Sequence, residues 1–125
     1  MADRKKLIQA VLNVISNAYK YSPDGGEVEL DLVHVAAGAD SPLESGAAAL
    51  GIRIVDHGLG MTPEQLARVF ERFYRADTSG KIPGTGLGMS IVQEIVSLHG
   101  GKVSVTSAAG LGTTVTIWLP TAAMV

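Results

Sequence analysis

The chain has 125 residues, of which 46% are hydrophobic and 18% charged, a composition that supports one domain with a buried core and excludes a disordered chain. The formal net charge of -2 argues against a nucleic-acid-binding surface, and no apolar run approaches the roughly 20 residues that cross a bilayer. Cysteine is absent, which excludes disulfides and thiolate metal sites and suits a reducing compartment. From the length of the chain we expect a single domain over residues 1–125.

The first half of the chain predicts a helix followed by two strands. Apolar residues recur at helical spacing from Leu7, and a Pro- and Gly-containing turn over residues 22–26 ends the pattern. The predicted apolar stripe consists of Leu7, Ile8, Val11, Leu12, Val14, Ile15, Ala18 and Tyr19. Alternating apolar residues over 28–32 and 52–55 predict strands, and the small and polar residues 36–49 predict a mobile loop between neighbouring strands.

The second half predicts two further helices and a hairpin. One helix begins at Thr62, which can cap it, and ends near Phe70. Another runs from about Gly86 to Gly100, and its apolar face is marked by Leu87, Ile91, Ile95 and Leu98. Strands around residues 103–105 and 115–119 follow, joined by a turn over 108–112. This element order predicts an α+β fold, a two-layer α/β sandwich with helices on one face of a mixed, mostly antiparallel sheet.

Two asparagines one turn apart stand out in the first predicted helix. Asn13, Asn17 and Lys20 share a narrow arc of that helix, which an ordinary solvated surface would also explain. Asparagine inside a helix costs up to about 0.7 kcal/mol relative to alanine, so a functional reason is worth considering. Amide oxygens suit Mg²⁺, and Lys20 would supply positive charge to a phosphate.

Two glycine-containing motifs are the next candidates. Asp56 ends a predicted strand and is followed by Gly58 and Gly60; the alternatives are a plain turn and a base-binding pocket in which the carboxylate accepts hydrogen bonds from an exocyclic amine. Residues 84–88 read Gly-Thr-Gly-Leu-Gly and match neither the Rossmann fingerprint nor a P-loop. They predict either a mobile loop or a segment that presents a helix N-terminus to a polyphosphate.

Between these motifs lies an aromatic and basic segment. Phe70, Phe73 and Tyr74 suit core or hinge anchors, whereas Arg72 and Arg75 can pair with a terminal phosphate. The three histidines, His34, His57 and His99, have no acidic or histidine neighbours at ligand spacing, so we expect structural roles for them.

In order and spacing, residues 13–21, 56–60, 70–74 and 84–88 closely resemble the N, G1, F and G2 boxes of the sensor histidine kinases of two-component signalling. Residues 112–114 resemble the last conserved element of that family. The resemblance implies the Bergerat ATP-binding fold, which gyrase-type ATPases share, and it implies ATP and Mg²⁺ as ligands.

The resemblance also implies roles for individual residues. Asn17 would bind the metal, and Arg75, with Arg72, would approach the γ-phosphate as catalytic residues beside Asn13. The implied nucleotide-binding residues are Asn13, Asn17, Lys20, Tyr21, Asp56, Gly58, Gly60, Gly84, Thr85, Gly86, Leu87, Gly88 and Thr113. Residues 76–86 would form a mobile lid over ATP.

The function implied is transfer of the γ-phosphoryl group of ATP to a histidine. No acceptor-histidine segment of the family's type occurs in the sequence, so we expect that histidine on a helical dimerisation domain of the same parent protein, with a response regulator downstream. A cytoplasmic location follows from the resemblance, whether or not the parent is an inner-membrane receptor. Two alternatives remain, a non-catalytic nucleotide-sensing module and a gyrase-type ATPase. Gyrase-type relatives carry a glutamate at the position of Asn13, so we expect very slow ATP hydrolysis.

Overall fold

Four antiparallel strands form one sheet in the computed structural model, which describes residues 3–20, 22, 26–71 and 88–121. The elements in chain order are α1 (Arg4–Lys20), β1 (Glu29–Val35), β2 (Ala49–Asp56), α2 (Pro63–Ala67), α3 (Gly88–Leu98), β3 (Lys102–Ala108) and β4 (Gly112–Pro120). The strand order is β1-β2-β4-β3, and each of these pairings is antiparallel. The predicted α+β fold is confirmed, although the described pairings are all antiparallel rather than mixed. β1 begins at Glu29, one residue after the predicted start, and the other three strands extend beyond their predicted apolar centres.

The core lies between one face of the sheet and the helices. Ile54 pairs with Val115 and Ile52 with Ile117, so the alternating apolar residues of β2 and β4 share a face. The buried core cluster comprises Ala10, Val14, Ala18, Ile54, Val92, Ile95, Val96, Val115, Ile117 and Leu119. Its members from α1 are small or β-branched, which lets this helix pack closely against the sheet and α3.

The start of α1 is fixed by Asp3. The Asp3 carboxylate accepts a hydrogen bond from the Lys6 backbone N–H at 3.2 Å, which satisfies one free donor of the first turn. The backbone N–H of Asp3 donates to Nε2 of His99 at 2.9 Å, while Nδ1 of the same ring lies 2.8 Å from the Ile95 carbonyl oxygen. His99 therefore joins the beginning of α1 to the end of α3, in agreement with its predicted structural role.

Part of the predicted apolar stripe of α1 is solvent-exposed. Ile8 and Leu12 are each 58% exposed, and Tyr19 is also exposed. Leu30 and Leu32 of β1 are exposed as well, although they pair with Ile54 and Ile52, because the helices cover the sheet over β2, β4 and β3 and leave β1 open. Leu98 is exposed at the end of α3, so its assignment to the buried face was wrong.

The second helix is shorter than predicted. Thr62 caps α2 as expected: its hydroxyl accepts from the Gln65 backbone, and the Gln65 side chain accepts from the Thr62 backbone. The helix ends at Ala67 rather than near Phe70, because the backbone N–H groups of Arg68 and Val69 bond to carbonyls three residues back, as in a turn.

The connection between β1 and β2 is held by its own hydrogen bonds. The Gly38 N–H donates to the Gly46 carbonyl at 2.9 Å, and the Ser41 hydroxyl donates to the Ala47 carbonyl at 2.6 Å. Leu43 is buried beneath this loop, and Ala49, predicted to belong to it, is a buried residue of β2. Among the described residues, no helix has both the length and the hydropathy needed to span a membrane.

Candidate functional site

Asp56 is a buried carboxylate at the end of β2, with only 7% of its surface exposed. Its Oδ1 accepts two backbone hydrogen bonds, from the N–H of Gly58 at 3.0 Å and from the N–H of Thr113 at 3.2 Å. From the described part of the chain, Oδ2 receives no hydrogen bond. Asp56 is therefore fixed in orientation through one oxygen, while the other remains able to accept from a ligand.

Burial raises the pKa of the Asp56 carboxyl above its ordinary value, because a low-dielectric environment disfavours the charged form. The two backbone N–H donors and nearby His57 act in the opposite direction and only partly offset the burial. An ionisable group held in this way costs folding free energy at neutral pH, which is typical of functional positions.

The turn after Asp56 is locked against the turn between β3 and β4. Gly60 has a φ of +66°, and a Cβ at this position would overlap the carbonyl oxygen of Ala108. Gly112 has a φ of +104°, and a Cβ there would overlap the carbonyl oxygen of Asp56. The Gly110 N–H also donates to the Leu59 carbonyl at 2.7 Å. Both glycines are required by close backbone contacts.

Ser107 joins the same two turns and was not predicted as a site residue. Its Oγ accepts from the Met61 N–H at 2.8 Å, donates to the Gly112 carbonyl at 2.8 Å, and lies 2.8 Å from the Thr113 Oγ1. The alternation of β3 offered a signal, because Ser107 continues the inward-facing positions of Val103 and Val105 with a polar side chain.

Three polar side chains thus form a row across the end of the sheet. Asp56 pairs with Thr113 in the register of β2 and β4, and Thr113 pairs with Ser107 in the register of β4 and β3. All three continue the core-facing positions of their strands. The row lies next to the apolar core, at the end of the sheet where β2 ends and β4 begins.

Both long helices bring further candidate residues toward this end of the sheet. His99 places the start of α1 and the end of α3 together. The end of α3 leads into β3, whose first residue Lys102 pairs with Trp118 near the far end of β4. α1 therefore runs toward the Asp56 end with its later residues, and α3 begins at that end with Gly88.

Asn13, Asn17 and Lys20 occupy the later half of α1, as predicted. Asn13 and Asn17 are half-buried, and Lys20 is exposed. The two amides lie about 140° around the helix from the exposed pair Ile8 and Leu12, so they belong to the opposite flank. Within the described ranges neither amide side chain has a hydrogen-bond partner, which leaves both available to a ligand.

Several predicted site residues lie outside the described residues: Tyr21, Arg72, Arg75, Gly84, Thr85, Gly86 and Leu87. The same holds for the predicted lid over residues 76–86 and for Phe73 and Tyr74. Gly88 is described and begins α3.

The described residues are suited to an amine-bearing aromatic ligand with an anionic tail. The free Oδ2 of Asp56 can accept from an exocyclic amine, and the flank of α1 offers amide oxygens and an ammonium group. The structure brings Asp56, Gly58, Gly60 and Thr113 into one contact network.

Comparisons with known proteins identify the family of the chain. The family described as histidine kinase-, DNA gyrase B- and HSP90-like ATPase matches residues 2–123. The chain is 42% identical over 120 residues to the sensor histidine kinase WalK of Bacillus subtilis, covering 94% of this chain and 18% of WalK. It is 41% identical over 120 residues to the histidine protein kinase DivJ of Caulobacter vibrioides, covering 95% of this chain and 18% of DivJ. The chain thus spans about a fifth of the length of these two relatives.

Two solved structures are similar in fold. The mycobacterial sensor histidine kinase MprB superposes with a TM-score of 0.79 at 37% sequence identity, covering 96% of this chain and 75% of that one. Full-length ShkA in complex with AMPPNP superposes with a TM-score of 0.71 at 31% identity, covering 95% of this chain and 22% of ShkA. The chain belongs to the histidine kinase-, DNA gyrase B- and HSP90-like ATPase family, as a catalytic and ATP-binding domain of the sensor histidine kinase type.

Proposed function

We propose that this domain binds Mg·ATP and transfers the γ-phosphoryl group to a histidine on a separate helical dimerisation domain of a longer parent protein. A response regulator would then receive the phosphoryl group. The observation that carries the proposal is the half-satisfied carboxylate of Asp56, which is fixed through Oδ1 and open at Oδ2. The ShkA complex with AMPPNP supports a nucleotide as the ligand of this fold.

The adenine base is assigned to the Asp56 end of the sheet. An exocyclic amine can donate to the free Oδ2, while the tight turn at Gly58 and Gly60 lets a flat ring approach the backbone. Burial strengthens this contact, because a hydrogen bond to a charged group in a low-dielectric site is worth about 1.5–3 kcal/mol.

The phosphates and the metal are assigned to the flank of α1. Asn17 would bind Mg²⁺ through its amide oxygen, since Mg²⁺ prefers hard oxygen ligands and completes its shell with phosphate and water. Half-burial and the absence of a described protein partner make both asparagine amides fit this role. Lys20 would neutralise phosphate charge, and Mg²⁺ would supply further charge neutralisation when bound.

The remaining polar residues are assigned to the phosphoryl group itself. Asn13 would lie beside the phosphates, and Arg72 and Arg75 would stabilise charge on the γ-phosphate, with residues 84–88 contributing backbone N–H groups. The imidazole nitrogen of the acceptor attacks the γ-phosphorus, the bond to the bridging oxygen breaks, and ADP leaves. Positioning and electrostatics therefore carry the catalysis.

The test is transfer of label between two domains. The purified chain is mixed with the dimerisation domain of a closely related sensor kinase and γ-labelled ATP, and acid-labile label on the partner's histidine is measured. Tight ATP binding without transfer to any matched partner would favour a nucleotide-sensing module. Rapid phosphate release without transfer would favour an ATPase.

The chain offers a matched control for the nucleotide assignment. Asp56→Asn and Asp31→Asn make the same chemical change on opposite faces of the sheet, since Asp31 is exposed and paired with Arg53 at 2.7 Å. Only Asp56→Asn should reduce labelling of the partner. Equal loss in both variants would contradict the assigned base site.

A further inference from the structure

Ser107 makes more hydrogen bonds than its single hydroxyl hydrogen can donate, and this fixes the direction of each bond. The Met61 N–H is a donor, so Ser107 Oγ accepts there. The Gly112 carbonyl oxygen is an acceptor, so the Ser107 hydrogen is donated to it. The geometry of the remaining contact, with Thr113 Oγ1 at 2.8 Å, allows either oxygen to donate. Because the single Ser107 hydrogen is donated to Gly112, all three bonds form together only when Thr113 is the donor.

The hydroxyl of Thr113 is consequently held in one orientation. Its hydrogen points to Ser107, so its oxygen presents only lone pairs to any other group. Thr113 lies directly opposite Asp56 in the sheet, and the free Oδ2 of Asp56 is also an acceptor. The wall made by these two residues therefore accepts hydrogen bonds and donates none from its side chains.

We propose that Ser107 is a positioning residue that sets the base selectivity of the site by holding the Thr113 hydrogen away from the ligand. Such a wall favours a purine with an amine at position 6 and disfavours one with a carbonyl there, because a carbonyl oxygen meets only acceptors. The inference rests on the proposed function, in which the wall binds the adenine base.

The test compares ATP with inosine triphosphate (ITP), which differs from ATP only at positions 6 and 1 of the base. Dissociation constants of both nucleotides are measured by calorimetry for the wild-type chain, Ser107→Ala and Ser107→Thr. In Ser107→Ala the Thr113 hydroxyl can rotate and donate to the ITP carbonyl. The ratio of the ITP dissociation constant to the ATP dissociation constant should therefore fall by about tenfold. Ser107→Thr keeps the hydroxyl, so its ratio of dissociation constants should equal that of the wild type.

A purely structural role predicts a different result. If Ser107 only stabilised the two turns, Ser107→Ala would weaken both nucleotides equally and leave their ratio unchanged, which would overturn the inference. Should Ser107→Ala fail to fold, Ser107→Cys keeps a similar side-chain shape, but its sulfur accepts only weakly from the Thr113 hydroxyl, so the same fall in the ITP-to-ATP ratio of dissociation constants is expected. In a Thr113→Val background, Ser107→Cys should leave the ratio unchanged, and a further change there would also overturn the inference.

A wrong assignment of the base site would give a different set of binding constants from a wrong role for Ser107. If Asp56→Asn and Asp31→Asn bind ATP as the wild-type chain does, the base does not lie at this wall, and both the base assignment and the role of Ser107 are contradicted. If Asp56→Asn weakens ATP binding but the ratio in Ser107→Ala equals that of the wild type, only the role of Ser107 is contradicted.

Discussion

Gly60 packs so closely against Ala108 that any Cβ at position 60 would overlap the Ala108 carbonyl oxygen. This contact holds the turn after β2 against the turn that joins β3 to β4. Because the obstructing atom belongs to the backbone of a paired strand, it cannot move aside as a flexible side chain would. The geometry of Asp56 and Thr113 therefore depends on the absence of a side chain at position 60.

We expect Gly60→Ala to destabilise the fold and to weaken nucleotide binding together. A positive φ costs an alanine about 1–2 kcal/mol, and the overlap adds about 1–3 kcal/mol. Gly110→Ala is the matched control, because Gly110 also has a positive φ, of +80°, but nothing lies within 4 Å of an added Cβ. Urea denaturation should show the larger loss in Gly60→Ala. Equal losses would mean that the contact with Ala108 is easily relaxed.

Asp56→Asn should weaken ATP binding while preserving the fold. The asparagine oxygen can still accept from Gly58 and Thr113, but its N–H₂ would replace Oδ2 and face the amine of the base. An unpaired buried donor costs about 1–3 kcal/mol, which corresponds to a rise in Kd of about 5- to 150-fold. Calorimetry measures the change, and an unaltered Kd would contradict the adenine contact.

The same substitution should change how stability depends on pH. Burial raises the pKa of folded Asp56 above 3.8, so as the pH rises the unfolded chain loses this proton before the folded chain does. Stability contributed by Asp56 therefore falls between 3.8 and the raised pKa and is constant above it. As the pH rises through this range, the free energy of unfolding of Asp56→Asn should increase relative to that of the wild type.

Asp31→Asn provides a control of opposite sign for the pH experiment. The Arg53 guanidinium lowers the pKa of Asp31, so any stability from this pair is present above the ordinary pKa and lost as the pH falls. Both side chains are solvent-exposed, 45% for Arg53 and 50% for Asp31, so the effect should be small and screened by salt. A gain in Asp31→Asn that matched Asp56→Asn would contradict the burial argument.

The helices and strands were predictable from periodicity. Which of their apolar residues are buried by neighbouring elements was not. Alternation placed Leu30 and Leu32 on the same side of the sheet as Ile54, yet both are exposed because no described helix lies over β1. Likewise Ile8 and Leu12 lie beside the buried stripe of α1 and remain exposed. A single sequence records which residues are apolar, whereas burial depends on which element packs on which.

The candidate site divides in the same way. Asp56, Gly58 and Gly60 were named as candidates because a carboxylate followed by two alternating glycines suits a base-binding pocket as well as a plain turn, and the resemblance to the G1 box implies the pocket. Ser107 was missed, since a serine near a turn has many uses and its importance depends on contacts with Met61 and Thr113 across 46 and 6 residues of chain. Long-range hydrogen bonds of this kind leave no periodic signal in the sequence.

Asn17→Ala should weaken binding of Mg·ATP far more than binding of metal-free ATP. The substitution removes the proposed oxygen ligand, while the helix propensity of alanine is more favourable than that of asparagine by up to about 0.7 kcal/mol. Ser16→Ala is the control, because Ser16 is an exposed polar residue of the same helix. Calorimetry with and without Mg²⁺ separates the two forms. Equal weakening under both conditions would exclude Asn17 as a metal ligand.

The isolated chain should hydrolyse ATP very slowly. α1 carries no aspartate or glutamate along its 17 residues, so the helix assigned to the metal and the phosphates supplies no carboxylate that could activate water. Asn13, one turn before Asn17, is an amide and cannot accept a proton. A positioned general base is typically worth about 10²–10⁴-fold in rate, and its absence preserves the γ-phosphoryl group for a histidine, whose imidazole is already nucleophilic.

Substitutions at position 13 test this explanation in a phosphate-release assay. Asn13→Glu places a carboxylate beside the proposed metal site and should increase phosphate release, whereas Asn13→Gln extends the side chain equally but keeps the amide and should not. Both variants should retain ATP binding, which calorimetry checks. Rapid phosphate release by the wild-type chain, abolished in Asn13→Ala, would instead identify Asn13 as part of a hydrolytic site and favour an ATPase over a histidine kinase.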